Sequence, residues 1–293
     1  MRAIEFRQFG DPSQLHLAER PDPQASDSTA VVRVEAASVN LSDVKNVAGA
    51  MSQTTLPRIP GRDYSGVVIE GPPEWIGAEV WGTGGDVGFT GDGTHADLIE
   101  APCASLVRKP EKLTHEEAAS AGVTFLTAWI AVIEYAKVSA GETLAVIGAG
   151  GVGSAAIQLA KYRGAQAIAI QRGTDTSEIK ADVVLNTVGG EMFETALKIA
   201  VHRGRVVVIS PGKQPRVSFE LVAFYRKELQ LFGVDSLHRG LTGAAETLRE
   251  LTAAFDAGAL LPPQVSKVFP LDQAQDAYRL VSSGSSGRVV LKP

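Results

Sequence analysis

The amino-acid sequence predicts an α/β protein of two domains, with a parallel-sheet domain inserted into a discontinuous β-rich partner. Three observations carry this prediction. Residues 1–115 hold short β-rich segments separated by glycine and proline clusters. Residues 116–257 alternate apolar strands with helices, and residues 258–293 return to mixed character. The length of 293 residues suits two domains at roughly 150 residues each.

In the first part, residues 29–36, 64–70, 78–82 and 95–100 read as strands. Thr114 followed by Glu117 is a capping-box pattern and opens a helix rich in alanine and glycine. A second helix over about residues 124–136 carries Phe125, Ala128, Trp129, Val132 and Ile133 at three-to-four spacing. Strands follow at 143–147, 166–170, 183–185, 205–209 and 229–234, with helices at 152–163 and 192–201 between them. Such alternation implies right-handed crossovers and a parallel sheet. After a helix at about 243–255, strands at 265–269 and 288–291 flank a helix at 271–281 and are placed with the N-terminal β unit.

Composition narrows the functions available. Lys plus Arg number 28 and Asp plus Glu 33, a formal net charge of −5 with no dominant basic block, which argues against a nucleic-acid partner. The single cysteine, Cys103, excludes an internal disulfide and a cysteine-rich zinc lobe. No apolar signal core opens the chain and no run of about 18 apolar residues stands out, so a cytoplasmic protein without a membrane partner is expected. The five histidines show no metal-ligand spacing and no Gly-x-Ser-x-Gly elbow occurs.

The chemistry-bearing motif is Gly148-Ala149-Gly150-Gly151-Val152-Gly153, which follows the strand ending at Ile147 and opens a helix. This is G-x-G-x-x-G in a strand–turn–helix context. The first glycine permits the tight turn, the second lets backbone approach a pyrophosphate, and the third lets helix and strand pack closely. The alternative is a glycine-rich bend and nothing more. A carboxylate about 20 residues on would accept from the ribose of NAD. Here Gln171 and Arg172 stand at the end of the next strand, with no carboxylate before Asp175. An arginine favours a 2′-phosphate, so NADP(H) is expected. If Arg172 is only a solvated loop charge, the choice of dinucleotide stays open.

At this point the chain resembles the zinc-independent, quinone oxidoreductase (zeta-crystallin-like) group of the medium-chain dehydrogenase/reductase superfamily. The resemblance rests on residues 37–43, 59–66, 124–129 and the glycine loop with residues 156–161, then Val188-Gly189-Gly190, 269–271 and 287–290. It implies a GroES-like β-barrel domain, here 1–115 plus 258–293, wrapped around a Rossmann domain, here 116–257. It also implies NADPH-dependent reduction of a quinone or enone, and commonly a homodimer paired through the edge strand at 229–234. Zinc-using relatives place a cysteine at Asn40 and a His-Glu pair at Arg62-Asp63, so no catalytic metal is expected.

The same resemblance assigns site residues. Asn40 would donate to the oxygen that gains charge, or would only tie one loop to another. Tyr64 is a candidate acid or an aromatic core residue, and Thr127 would line the nicotinamide ribose or simply pack. Val188, Ser210, Phe232, Gly233 and Val234 would hold the nicotinamide end through strand-end backbone, or would be ordinary strand-end turns. Relatives insert a helix, a strand and another helix between the strands at 166–170 and 183–185. Only residues 171–182 are available here, and a crossover takes at least 10–12 residues, so a five-stranded sheet lacking its outer strand is predicted. The competing functions are an enoyl-thioester reductase and a non-catalytic NADP-binding sensor.

Overall fold

The computed structural model describes all 293 residues, Met1–Pro293. Two compact units form, one from Met1–Val123 with Ser236–Pro293 and the other from Thr124–Asp235. The chain begins with β1 (Arg2–Glu5), β2 (His16–Glu19), β3 (Thr29–Val39), α1 (Leu41–Val47), β4 (Asp63–Glu70), β5 (Glu79–Thr83) and β6 (Leu98–Pro102). Then α2 (His115–Trp129) crosses from the first unit into the second. The second unit continues with β7 (Thr143–Ile147), α3 (Gly151–Tyr162), β8 (Gln166–Ile170), β9 (Ala181–Asn186), α4 (Phe193–Ile199), β10 (Ala200–Val208), α5 (Leu221–Arg226) and β11 (Gln230–Gly233). The chain returns to the first unit for α6 (Leu241–Asp256), β12 (Val265–Pro270), α7 (Ala274–Ser283) and β13 (Arg288–Lys292).

In the first unit a six-stranded sheet runs β12-β13-β3-β4-β5, with β6 also paired to β3. Inward-facing Val32 and Val34 of β3 bury with Val68, Val80, Ile99 and Leu106. A second cluster joins Ile4, Phe6 and Leu15 to Phe269, Leu271, Tyr278, Val289 and Leu291, so the C-terminal strands share a core with the N-terminal segment.

The second unit holds a five-stranded sheet, order β11-β10-β9-β7-β8, in which every pairing is parallel. The predicted loss of the outer strand is what forms: β8 is the edge, and β9 begins at Ala181 with only turns before it. Register aligns the carboxyl ends of all five strands. Ile147 pairs Ile170 and Asn186, while Val208 pairs Asn186 and Gly233. The residues that follow, Gly148, Gln171, Thr187, Ile209 and Val234, therefore stand along one edge of the sheet.

Three expectations change. The helices at 114 and 124 are one, since α2 runs unbroken and continues as a π-type turn over Ile130–Tyr135. Thr114 does cap it: Thr114 N donates to Glu117 Oε2 at 2.9 Å and Glu117 N to Thr114 Oγ1 at 3.2 Å. This stretch, His115–Tyr135, is long and apolar enough to cross a membrane by length and composition, a pattern the sequence reading passed over. It is a core helix, with 78% of its most apolar window buried inside the protein. Third, the units divide at 123/124 and 235/236 rather than at 115/116 and 257/258, because α6 packs on the β-rich unit. Trp81 Nε1 donates to Thr252 Oγ1 at 3.0 Å, the Trp81 and Phe255 rings meet edge-on at 6.1 Å, and Leu241 joins the Val80 cluster.

Candidate functional site

The glycine loop lies where β8 and β9 leave β7 in opposite directions, the topological switch point at which open parallel sheets bind ligands. Gly148 has φ of +91°, a left-handed conformation that suits glycine, and its N–H donates to Ile170 O at 3.0 Å. A Cβ on Gly153 would sit 2.1 Å from Gly148 O, so only glycine lets α3 pack this close to the end of β7. A Cβ on Gly150 would meet nothing within 4 Å, so its surface is open to a ligand. Because α3 begins at Gly151, the N–H groups of its first turn have no intrahelical acceptor. These residues fit a diphosphate: open backbone, free donors and the positive end of a helix dipole.

The loop is braced from β9. Thr187 Oγ1 stands 2.9 Å from Ile147 O and 3.0 Å from Gly148 O, and Thr187 N donates to Ile147 O at 3.0 Å. Asn186, fully buried, accepts from Val188 N at 3.1 Å and Gly189 N at 2.9 Å, and donates to Gly189 O at 2.8 Å. Beyond β8, Gln171 N donates to Thr174 Oγ1 at 3.0 Å in a turn whose Gly173 has φ of +87°. Gln171 and Arg172 are both exposed, and Arg172 makes no hydrogen bond or ion pair. The nearby Asp175 carboxylate accepts from Ser177 N at 3.0 Å, which lowers its pKa. Val188, Ser210 and Phe232 are half-buried at their strand ends, Gly233 is exposed, and Val234 N donates to Val208 O at 3.0 Å.

The first unit holds a buried polar cluster at the junction of β3, α1, β4 and β13. Asp63 Oδ2 accepts from Ser38 Oγ at 2.9 Å and from Asn40 Nδ2 at 2.9 Å, and Asp63 Oδ1 accepts from Val123 N at 3.0 Å. Arg288 Nη2 donates to Ser38 Oγ at 3.1 Å and to Asn40 Oδ1. Burial pulls the Arg288 guanidinium pKa down, against Asp63 and Asp43, which raise it. Asn40 is 4% exposed, and its amide is committed at both ends. It also starts α1, where its N–H donates to Asp43 Oδ2 at 2.8 Å. Asp43 has no exposed surface and its Oδ1 lacks a partner; burial first, then Asp63, push its pKa up to about 7.

Around this cluster the structure sorts the remaining candidates. Tyr64 has no exposed surface, its hydroxyl is unpartnered, and Gly82 makes room for its ring, so the proposed acid is a core side chain whose pKa burial raises. Thr127 is 8% exposed in the second unit's part of α2. His95 is buried and held neutral, with a pKa near 4: Tyr278 OH lies 3.0 Å from Nδ1, and Nε2 lies 3.2 Å from Ser38 O. His115 lies 2.8 Å from Ser65 Oγ and 3.4 Å from Glu79, a row that looks like a hydrolase triad. Ser65 is fully buried and donates to Val80 O at 3.0 Å, so it is no nucleophile.

The donors at the metal position of zinc-using relatives do not fit a zinc ion. Arg62 is a buried cation whose Nε donates to Gly84 O at 3.0 Å, Asn40 is committed, and Asp63 is saturated by three donors. Neither thiolate nor imidazole is supplied. A separate depression of about 640 Å³, lined by Arg20, Asp22, Asp86, Asp92 and Leu241 among others, includes none of these residues. Three of its carboxylates are already engaged, Asp92 by Arg58, Asp86 by Leu241 N and Asp22 by the N-terminal amine.

Sequence reasoning missed Asn186, Thr187 and the partnership of Arg288 with Asn40. An Asn two residues before an amide it can cap, in Asn186-Thr187-Val188-Gly189, is a legible turn signal; a pairing 248 residues apart in the chain is not.

Comparison with known proteins matches residues 26–111 to the alcohol dehydrogenase GroES-like domain and residues 155–291 to a family described as zinc-binding dehydrogenase. A zinc-type alcohol dehydrogenase-like protein of Schizosaccharomyces pombe is 34% identical, over 99% of this chain and 97% of that one. A quinone oxidoreductase of Pongo abelii is 28% identical, over 99% and 97% respectively. The crystal structure of an alcohol dehydrogenase superfamily protein from Novosphingobium aromaticivorans superimposes with a TM-score of 0.90, at 26% identity, over 100% of this chain and 99% of that one.

Proposed function

As the chain belongs to the medium-chain dehydrogenase/reductase superfamily, in its quinone oxidoreductase-like group, we propose that it reduces a quinone or an α,β-unsaturated carbonyl with NADPH. The observation that carries this is the 148–153 loop at the switch point, with open backbone at Gly150 and an unpaired Arg172 at the end of β8. The dinucleotide, when bound, supplies the hydride. The 148–153 loop holds its diphosphate, and Arg172 faces the 2′-phosphate, which a carboxylate there would repel. The strand ends at Val188, Ser210 and 232–234 orient the nicotinamide end through backbone groups. In place of a metal, positioning and hydrogen bonds to the acceptor oxygen lower the barrier. The donors of Asn40 are taken by Asp63 and Ser38, so its part in this arrangement is to hold the loop before α1 in place. The proposal extends to a homodimer, since β11 is a free sheet edge with Leu231 exposed; light scattering tests that point.

The test is NADPH oxidation followed with 1,4-benzoquinone, 9,10-phenanthrenequinone and crotonyl-CoA in parallel. Quinone-dependent turnover is expected. Turnover with crotonyl-CoA alone would assign an enoyl-thioester reductase, and NADPH binding without any turnover would assign a sensor.

A further inference from the structure

Two turns at the carboxyl edge of the second sheet are interlocked at backbone level in a way that the chain's fold alone does not require. After β9, Asn186 ties down Val188 and Gly189 with three hydrogen bonds. After β10, Ser210 Oγ accepts from Gly212 N at 3.2 Å. The turns then press together. A Cβ on Gly189 would lie 2.4 Å from Gly212 N, one on Gly212 would lie 2.1 Å from Val188 O, and one on Gly190 would lie 2.0 Å from Gln214 O. Gly190 N donates to Pro211 O at 3.2 Å across the same contact. Gly189 and Gly212 both take positive φ, +93° and +62°. The loop beyond is solvent-exposed, so core burial does not explain why its first residues are fixed so closely.

From this geometry we infer that Asn186, Gly189 and Gly212 form a positioning clamp that sets the nicotinamide half of the cofactor relative to its diphosphate. The inference rests on the NADPH reading above. A dinucleotide at this switch point spreads its halves to either side of the diphosphate, over β8 on one side and over β9 and β10 on the other. The β8 side ends in Arg172, which reads the adenosine. The clamp joins the two strand ends on the other side, and Thr187 links it to the backbone of Gly148. Displacing it therefore moves Val188 and Ser210 while leaving the adenosine side as it was.

The experiment compares Gly212→Ala with a control, Gly141→Ala, by calorimetric titration of the full chain with NADPH and with 2′,5′-ADP, which carries only the adenosine half. Gly141 has φ of +85° and open space around it, so its substitution also places a side chain on left-handed backbone but meets no contact like that of Gly212 with Val188 O. We expect Gly212→Ala to raise the Kd for NADPH about tenfold, the scale of about one lost hydrogen bond, with 2′,5′-ADP changed less than about twofold. The fluorescence of bound NADPH should fall in parallel, and Gly141→Ala should match wild type with both ligands. Asn186→Asp keeps both acceptor contacts but loses the donor to Gly189 O; it is measured alongside and should show the same split if Gly212→Ala does not fold. Equal weakening of both ligands, or none of either, would overturn the clamp. If the wild-type chain binds 2′,5′-ADP and NADPH not at all, the cofactor reading fails and the inference falls with it.

Discussion

Replacing Gly150 by Ala separates a diphosphate loop from a mere bend. Gly150 has φ of −69° and ψ of −166°, which any residue adopts, and an added Cβ meets nothing within 4 Å. The substitution stiffens the unfolded chain, a gain of about 0.4–1 kcal/mol, and, as Gly150 is the N-cap of α3, weakens the start of that helix by roughly 0.5–1 kcal/mol. Stability should thus stay within about 1 kcal/mol of wild type, a Tm change of no more than about 2–4 °C. The methyl group projects where a diphosphate must approach, so the Kd for NADPH should rise at least about tenfold, or about 1.4 kcal/mol. Gly153→Ala should behave in the opposite sense on stability. Its Cβ would lie 2.1 Å from Gly148 O and 3.1 Å from Val146 Cγ1, and such overpacking costs about 1–3 kcal/mol. Thermal unfolding and calorimetric titration of the two variants read both quantities. Unchanged NADPH affinity in folded Gly150→Ala would refute the assignment, leaving a turn whose glycines serve only the chain's path.

Arg172→Ala should abolish a preference for NADPH over NADH with little effect on Tm, because the side chain is exposed and unpaired. In the wild type that preference should shrink as salt is raised, since the Debye length falls from about 10 Å at 0.1 M to about 3 Å at 1 M; a salt-independent ratio would contradict the single-charge account. Asp43→Asn should change the pH dependence of stability. Burial raises the folded pKa from 3.8 to about 7, so the protonated form is favoured by folding, and its contribution is lost as pH rises from about 4 through 7. At roughly 1.4 kcal/mol per pKa unit, a rise of about three units makes the loss on the order of 4 kcal/mol. The variant should gain on wild type at pH 8 relative to pH 5, and parallel denaturation curves at both pH values would exclude this. Asn40→Ala leaves Asp63 and Arg288 each short of a partner, which should cost about 1–3 kcal/mol on urea unfolding and lower turnover more than NADPH affinity.

The second unit was largely readable from sequence because its signals are local. The strand ending at Ile147, the glycines at 148, 150 and 153 and the helix after them lie within some twenty residues, and twelve residues from 171 to 182 leave no room for another strand. α6 was misplaced because its apolar stripe, Leu241, Ala244, Ala245, Leu248 and Phe255, reports that one face is buried but not which sheet buries it. Trp81 and Thr252, 171 positions apart, decide that. The two helices expected before and after residue 124 are one because nothing at their join breaks α2, and Gly122 within it makes room for Asp63, 2.7 Å from a Cβ placed there. Tyr64 and Asn40 could be named but not assigned, since a tyrosine in a strand looks the same whether its hydroxyl is aimed at solvent or sealed against Gly82.

Amide hydrogen exchange of the wild-type chain with and without NADPH tests the central claim most directly. Slowed exchange is expected at residues 148–154, where the donors at the start of α3 engage the diphosphate, and at the ends of β8 and β9, with the far ends of the strands unchanged. Exchange across 148–154 left as it is in the free chain by millimolar NADPH and by millimolar NADH alike would contradict it.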